Sequence, residues 1–388
     1  MTARRAITSL ILRMLRLAGP GRKPPLPDFV PARVAVMRYG GFGDVLAVTS
    51  LVRAIRKRWP DARIDFITDA ASTLVLENND DIDDVVVTPK LRLGANPRTI
   101  LENIARVRDL SREPYDVAFI THHPIEFQLL ALFFRAQYRV GFDINERGFD
   151  FPFTHAADVY TAPHPKAEAH LAGHFTQHYQ KLLQAFTGDE AEIERPHVAL
   201  ADDELARARA FVEAKGIARN LVIVAPGGSV PVKLWPMDRF AEVVRRLRDR
   251  HDVSVMVMVG PDEAHHADLF AGLDERVLFD AGGNSFRENM AIVKLADAMI
   301  GNDTGLMHVA AAFGVPGVAI FGPTPAAVFG YAHLGHRILT ADLPCVPCNE
   351  LYCRLLPDRG HGAVAPCLDA IGPDGVMAAF DAATGPAA

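Results

Sequence analysis

The sequence predicts an α/β protein made of two successive halves, each alternating short buried strands with amphipathic helices. Three observations carry this. A strand runs into a glycine loop and a helix across Arg33 to Ile55. The same order starts again at Leu221 and continues to Leu247. A further strand, polar turn and small-residue helix follow across Ala298 to Phe313, and Gly317 to Phe321 is the next strand. The chain has 388 residues, the length of two ordinary domains, and its 49% hydrophobic content can fill two cores.

The first thirty residues differ in kind. Arg4, Arg5, Arg13, Arg16, Arg22 and Lys23 stand against Asp28, a net +5 in a chain whose total is −6. On a helical wheel Ile7, Leu10, Ile11, Met14, Leu15 and Leu17 share one face, with Arg5, Arg13 and Arg16 opposite and Leu12 out of pattern. Three readings stay open: an amphipathic anchor on an anionic inner-leaflet surface, a helix docked on the protein, or a frayed tail. Arginines interrupt the apolar stretch, which is unlike a secretory signal. Gly19 to Pro31 holds five prolines and two glycines and is expected to be a linker. No run of 18 uncharged apolar residues predicts a membrane-crossing helix. The negative net charge provides no overall basic field for nucleic acid.

The first half is expected over residues 31–195. Arg33 to Arg38 is a strand and Gly40-Gly41-Phe42-Gly43 a loop. Asp44 then opens a helix with Val45, Val48, Leu51, Val52 and Ile55 on one face, stopped by Pro60. Ala62 to Ile67, Val85 to Val87 and Val117 to Ile120 continue the alternation. The aspartates between Asn79 and Asp84 suit a solvated turn better than a metal site. The second half is expected over residues 196–388. Its first strand leads into Pro226-Gly227-Gly228-Ser229 and a helix with Phe240, Val243, Val244 and Leu247 on one face. Two such halves facing one another would enclose a cleft, a common place for a ligand.

Three loops carry the chemistry. Gly41 and Gly43 match two glycines of a dinucleotide fingerprint, but Leu46 stands at the third, while Asp69 occupies about the place of a ribose-binding acid. An NAD-dependent oxidoreductase is therefore one rival reading. Asp44 has two readings: a first-turn charge, or an exposed base that takes a proton from an attacking hydroxyl. In the second loop the glycines admit close approach, Ser229 offers a hydroxyl and Lys233 a mobile positive charge, a combination that suits a diphosphate. In the third, Asp303 and Thr304 can cap the following helix and leave its amides facing an anion. No Walker loop is present, which argues against ATP hydrolysis.

Taken in order, three segments resemble glycosyltransferase family 9, the bacterial heptosyltransferases of lipopolysaccharide core assembly. They are Arg38 to Leu46; Pro226 to Ser229 with Lys233, Trp235, Pro236, Arg239 and Phe240; and Asp303 to Leu306 with His308 and Phe321 to Thr324. The likeness spans roughly residues 31–375. It implies a GT-B fold, two Rossmann-like domains across a cleft, and inverting transfer from a nucleotide sugar, ADP-heptose being the donor expected, to a lipid-linked saccharide. It implies no cofactor for catalysis. By the same likeness Asp44 is the general base, Lys233 and Ser229 hold the donor phosphates, and Gly228, Asp303, Thr304, Gly305, Leu306 and His308 surround the donor. Glu263 falls near a usual acidic donor contact. Gly41, His122, His123 and His174 are acceptor-side candidates. One departure is Gly228-Ser229, which leaves a single hydroxyl where the family often has a pair.

Cys345, Cys348, Cys353 and Cys367 lie late, at spacings of two, four and thirteen residues. They are either four reduced thiols in a surface excursion or ligands of a structural zinc or iron. Their number and position suggest a reducing, cytoplasmic compartment, with the basic segment suited to the inner membrane face. Beside the oxidoreductase, a catalytically silent nucleotide-sugar binding protein of the same fold is the second rival.

Overall fold

A computed structural model of the chain describes residues 21–89, 96–123, 125–143, 153–159, 173–190, 192, 194–273, 275–356 and 363–385. The amphipathic pattern read from Ile7 to Leu17 lies outside the described residues. The chain divides into two compact units between Pro196 and His197.

Unit 1 holds one parallel sheet. Its strands are β1 (Arg33–Met37), β2 (Arg63–Thr68), β3 (Asp84–Val87), β4 (Tyr115–Ile120), β5 (Ala136–Asp143) and β6 (His155–Asp158). They lie in the order β3-β2-β1-β4-β5-β6. Parallel strands are covered on both faces, which is why they read as unbroken apolar runs. Val34, Ala35 and Val36 accordingly have no exposed surface. Helix α1 (Phe42–Arg58) follows β1, and its five predicted core residues from Val45 to Ile55 are fully buried. Arg56, Lys57 and Arg58 sit in its last turn, where the helix dipole favours cations. The other helices used below are α2 (Pro97–Leu110) and α3 (Phe175–Thr187), the latter packed on α1 and β6.

The stretch ending at Pro31 departs from the linker expectation. Its described part, from Gly21, is coil but pinned to unit 1. Arg22 pairs with Asp143 at 2.7 Å, the Lys23 amide donates to the Thr154 carbonyl, and that of Leu26 donates to Phe186. Phe29 packs edge-on against Tyr138 and Phe186. Prolines remove backbone donors, yet the apolar and basic residues between them find partners on the domain surface.

Unit 2 repeats the winding. Its strands are β7 (Leu221–Ala225), β8 (Ser254–Val259), β9 (Val277–Ala281), β10 (Ala298–Asn302), β11 (Gly317–Ile320) and β12 (Arg337–Leu339). Their order is β12-β11-β10-β7-β8-β9, all parallel. Helices α4 (Asp202–Ala214), α5 (Met237–Arg250), α6 (Phe286–Lys294), α7 (Gly305–Phe313) and α8 (Pro373–Thr384) surround it. Phe240, Val243, Val244 and Leu247 of α5 are fully buried against the sheet. Arg287 of α6, itself buried, ties α4 through both oxygens of Glu204.

In each sheet the winding reverses beside the first strand, between β1 and β4 and between β7 and β10. Loops leaving the carboxyl ends of such a pair diverge, so ligands of open α/β sheets bind there. All three chemistry-bearing loops fall at these two points.

Candidate active site

The second and third loops meet in unit 2. Lys233 closes a short 3-10 turn, Pro231–Lys233, and its Nζ donates to Asp303 Oδ2 at 2.8 Å. The Asp303 side chain is 6% exposed and that of Lys233 25%, so the acid points inward and the ammonium reaches outward. On its other side Asp303 lies 3.8 Å from His308 Nε2, while His308 Nδ1 is 3.3 Å from the Tyr331 hydroxyl. Burial alone would raise the Asp303 pKa, but His308 and the charge of Lys233 outweigh it and hold the carboxyl well below the usual carboxylate range.

The capping expected of Asp303 and Thr304 takes another form. Asp303 spends its carboxylate on Lys233 and His308. Thr304 is the N-cap residue of α7, yet its side chain makes no capping bond, and its hydroxyl oxygen is buried without a partner among the described residues. The first-turn amides that begin at Gly305 and Leu306 therefore keep their capacity for an anion. Gly228 lies against this turn: a Cβ there would stand 3.0 Å from Leu234 and 3.3 Å from the Thr304 methyl. Glu263 reaches the same loop, since a Cβ on Gly227 or Gly260 would meet its carboxylate at 3.2 or 2.9 Å. Ser229 sits exposed at the loop tip.

Asn302 holds these loops in register, and nothing in its local sequence marks it for that. It is fully buried, accepts from the Trp235 amide at 3.0 Å and donates to the Pro226 carbonyl. Both ends of the glycine loop are thus stapled to the end of β10. Tyr331, behind His308, is likewise unmarked in the sequence.

In unit 1 the helix begins at Phe42, which puts Asp44 in its first turn rather than at its opening. Asp44 Oδ1 pairs with Arg38 at 2.8 Å, and Oδ2 accepts from the Gly41 amide at 3.3 Å. Arg38 in turn donates to the Thr121 carbonyl, joining the loops after β1 and β4. The Asp44 side chain remains 37% exposed. A dinucleotide would need its pyrophosphate where this carboxylate already takes a loop amide, and the third fingerprint position is filled by the buried Leu46. The geometry therefore disfavours the oxidoreductase reading of this loop.

The histidine candidates are buried in packing. His122 accepts the Tyr39 amide at 2.9 Å and stacks on Phe127. His123 stacks on Phe142, and its burial, with Arg38 and His178 nearby, drives its pKa well below the usual histidine value. His174 caps α3, its Nδ1 accepting from the Thr176 amide. An imidazole offers an acceptor and a flat apolar face, and this fold uses both internally. Gly41 spends its amide on Asp44.

Of the cysteines, Cys345 is exposed, Cys348 and Cys353 are half-buried and Cys367 is buried. Burial and the neighbouring Cys348 and Cys353 push the Cys367 thiol up. Among the described residues no group of three or more His, Cys, Asp or Glu side chains is placed to hold a metal ion.

Residues 104–357 match the model of glycosyltransferase family 9 (heptosyltransferase). The chain belongs to glycosyltransferase family 9. Lipopolysaccharide heptosyltransferase 2 of Escherichia coli K12 is 24% identical over 302 residues, covering 75% of this chain and 83% of that protein. A family 9 glycosyltransferase structure from Veillonella parvula superposes with a TM-score of 0.69 at 20% identity, over 91% of this chain and 97% of that one. The E. coli ADP-heptose lipopolysaccharide heptosyltransferase II structure gives a TM-score of 0.65 at 19% identity, over 91% and 98%. These likenesses establish the GT-B fold of two Rossmann-like domains, and family 9 membership makes the protein a glycosyltransferase. The loops that carry the family pattern are the ones that meet at the two switch points. Among the described residues of this family 9 protein, no helix is long and apolar enough to cross a membrane.

Proposed function

We propose that the protein transfers heptose from ADP-heptose to a lipopolysaccharide-type acceptor, with inversion at the anomeric carbon. The observation that carries the donor side is the Lys233–Asp303 pair at the β7/β10 switch point, beside the open N-terminus of α7. An ammonium has three donors, and Asp303 takes one of them. The remaining two, with the first-turn amides of α7, suit a diphosphate, and both gain as charge develops on it. Asp303 thus serves as a counter-ion that aims Lys233, and Glu263 stands across the glycine loop for the sugar or ribose hydroxyls.

On the acceptor side Asp44 is the base. Arg38 fixes one oxygen, and the other retains a lone pair beyond the one given to Gly41. The acceptor hydroxyl gives its proton to Asp44 and its oxygen forms the new bond to the anomeric carbon. The bond from that carbon to the diphosphate breaks on the opposite face, and ADP leaves with the electron pair. No step is assigned to a metal. We place the reaction at the cytoplasmic membrane face, where a lipid-linked acceptor is presented.

One experiment tests both halves. Asp44→Asn should keep ADP affinity while lowering kcat by about 10²–10⁴-fold. Lys233→Met should lower kcat by about 10²–10³-fold with the fold intact by circular dichroism. Near-normal turnover in either variant removes the corresponding role. Loss of ADP binding in Asp44→Asn would make Asp44 structural.

A further inference from the structure

Tyr331 lies behind the donor loops of unit 2, in the segment between β11 and β12. It is 2% exposed. Its carbonyl accepts from the amides of Leu334 and His336, closing a tight turn that Gly335, at a φ of 99°, permits. His336 Nε2 meets the Val315 carbonyl at 3.1 Å, just past the end of α7. At the other end of the same segment the Tyr331 hydroxyl meets His308 Nδ1 at 3.3 Å, near the start of α7. The segment from Tyr331 to His336 thus clasps α7 near both of its ends.

From Tyr331 a row of polar groups leads to the lysine. His308 Nε2 faces Asp303 Oδ1 at 3.8 Å, and Asp303 Oδ2 accepts from Lys233 at 2.8 Å. Asp303 is ionised, because His308 and Lys233 outweigh its burial, and an ionised carboxylate only accepts. The imidazole nitrogen that faces it therefore carries the hydrogen. In the neutral ring the other nitrogen, Nδ1, is then an acceptor, and the phenol hydroxyl is a donor that satisfies it. An acceptor in place of that hydroxyl would select Nδ1–H and turn a lone pair toward Asp303. The two rings cross at 85° with centroids 5.4 Å apart, an edge-to-face packing that limits rotation of the imidazole. At 3.8 Å the His308–Asp303 contact is longer than a hydrogen bond and acts through charge and dipole, so it depends on the tautomer and on the ring's orientation.

We propose that Tyr331 is a positioning residue for the donor: its hydroxyl fixes His308 as the Nε2–H tautomer, which holds the Asp303 carboxylate and through it aims Lys233 at the diphosphate. The inference rests on the glycosyltransferase reading above and adds to it a residue that acts through three side chains on the phosphates. Without the hydroxyl, Nδ1 loses its donor. The imidazole then gains by turning or by taking its hydrogen at Nδ1, and Asp303 loses the partner that stands opposite Lys233. The ammonium is left on a carboxylate that is free to rotate. ADP binding weakens, and so does the stabilisation of charge on the departing diphosphate. A role confined to packing would leave ADP affinity intact in Tyr331→Phe, since the ring itself remains.

ADP binding to the full chain is measured by calorimetry for the wild type, Tyr331→Phe, His308→Gln and the double variant, with folding checked by circular dichroism. Nitrogen-15 spectra of histidine-labelled protein read the tautomer, and the signal lost in His308→Gln assigns it. The wild type should show His308 protonated at Nε2, with Nδ1 an acceptor. Tyr331→Phe should weaken ADP binding about two- to tenfold, the range of one hydrogen bond. The ADP-heptose KM should rise in step and kcat should fall, while the acceptor KM stays unchanged. In His308→Gln, whose amide can still donate toward Asp303, the tyrosine substitution should change ADP binding no further, because the two residues act as one unit. An Nδ1–H tautomer in the wild type overturns the proposal, whatever the stability of the variants. So does full ADP affinity in folded Tyr331→Phe. Equal losses from Tyr331→Phe with and without His308 reveal a route that bypasses the imidazole and overturn it as well. A wild type that binds ADP but transfers no heptose sinks the proposed function alone, and the role of Tyr331 then stands or falls on the ADP and tautomer data. A wild type that does not bind ADP removes both.

Discussion

At the scale of single residues, the charge on Asp303 has the clearest consequence. Its folded pKa lies well below the usual range because Lys233 and His308 overcome its burial. A carboxylate depressed in the folded state adds stability above its unfolded pKa, near about 3.9, and loses it as the pH falls through the folded value. Asp303→Asn should therefore be less stable than wild type in urea at pH 7. The gap should be undiminished at pH 6 and narrow progressively below about pH 4. A gap that is constant from pH 7 to pH 3 would show that the ion pair contributes nothing. The pairing was not legible from residue order, because Lys233 and Asp303 are seventy positions apart. What the sequence did carry was the type of each side chain and the loop that bears it.

At the scale of elements, the strand–loop–helix units were legible because the apolar periodicity of α1 and α5 and the glycine loops are local signals. The staple between loops was not, because a buried asparagine announces itself only through partners brought in by the fold. Asn302 satisfies the Trp235 amide and the Pro226 carbonyl, two backbone groups that have no ladder partner of their own. Asn302→Leu fills the volume but orphans both. At about 1–3 kcal/mol for each buried polar group left without a partner, the loss of stability should be about 2–6 kcal/mol by chemical denaturation. Lys233 depends on the same loop, so the ADP-heptose KM should rise in parallel. A variant with wild-type stability would show that the loop holds its shape without Asn302. The histidines teach the same lesson in reverse: His122, His123 and His174 look functional in sequence because they follow strands or precede a helix. The fold uses their rings for stacking and capping.

At the scale of the whole molecule, one winding order serves two opposite electrostatic ends. Both sheets reverse direction beside their first strand, so both offer a loop pair at the same topological place. In unit 1 the helix-side group is an acid, Asp44, which takes a loop amide for itself. In unit 2 it is a lysine, and the side chain of the cap residue Thr304 leaves the Gly305 and Leu306 amides at the start of α7 uncapped. An anionic nucleotide should therefore discriminate between two domains of identical topology. ADP at a hundred times its Kd stabilises the unit that binds it by about 2.7 kcal/mol. Hydrogen exchange with and without ADP reads this locally. Slowed exchange is expected across residues 226–235 and 302–308, with residues 40–46 less affected. The reverse pattern, strongest protection at the Gly40–Leu46 loop, would place the nucleotide in unit 1. It would revive a dinucleotide-like use of that loop despite Asp44, and the division of labour between the two domains would have to be reassigned.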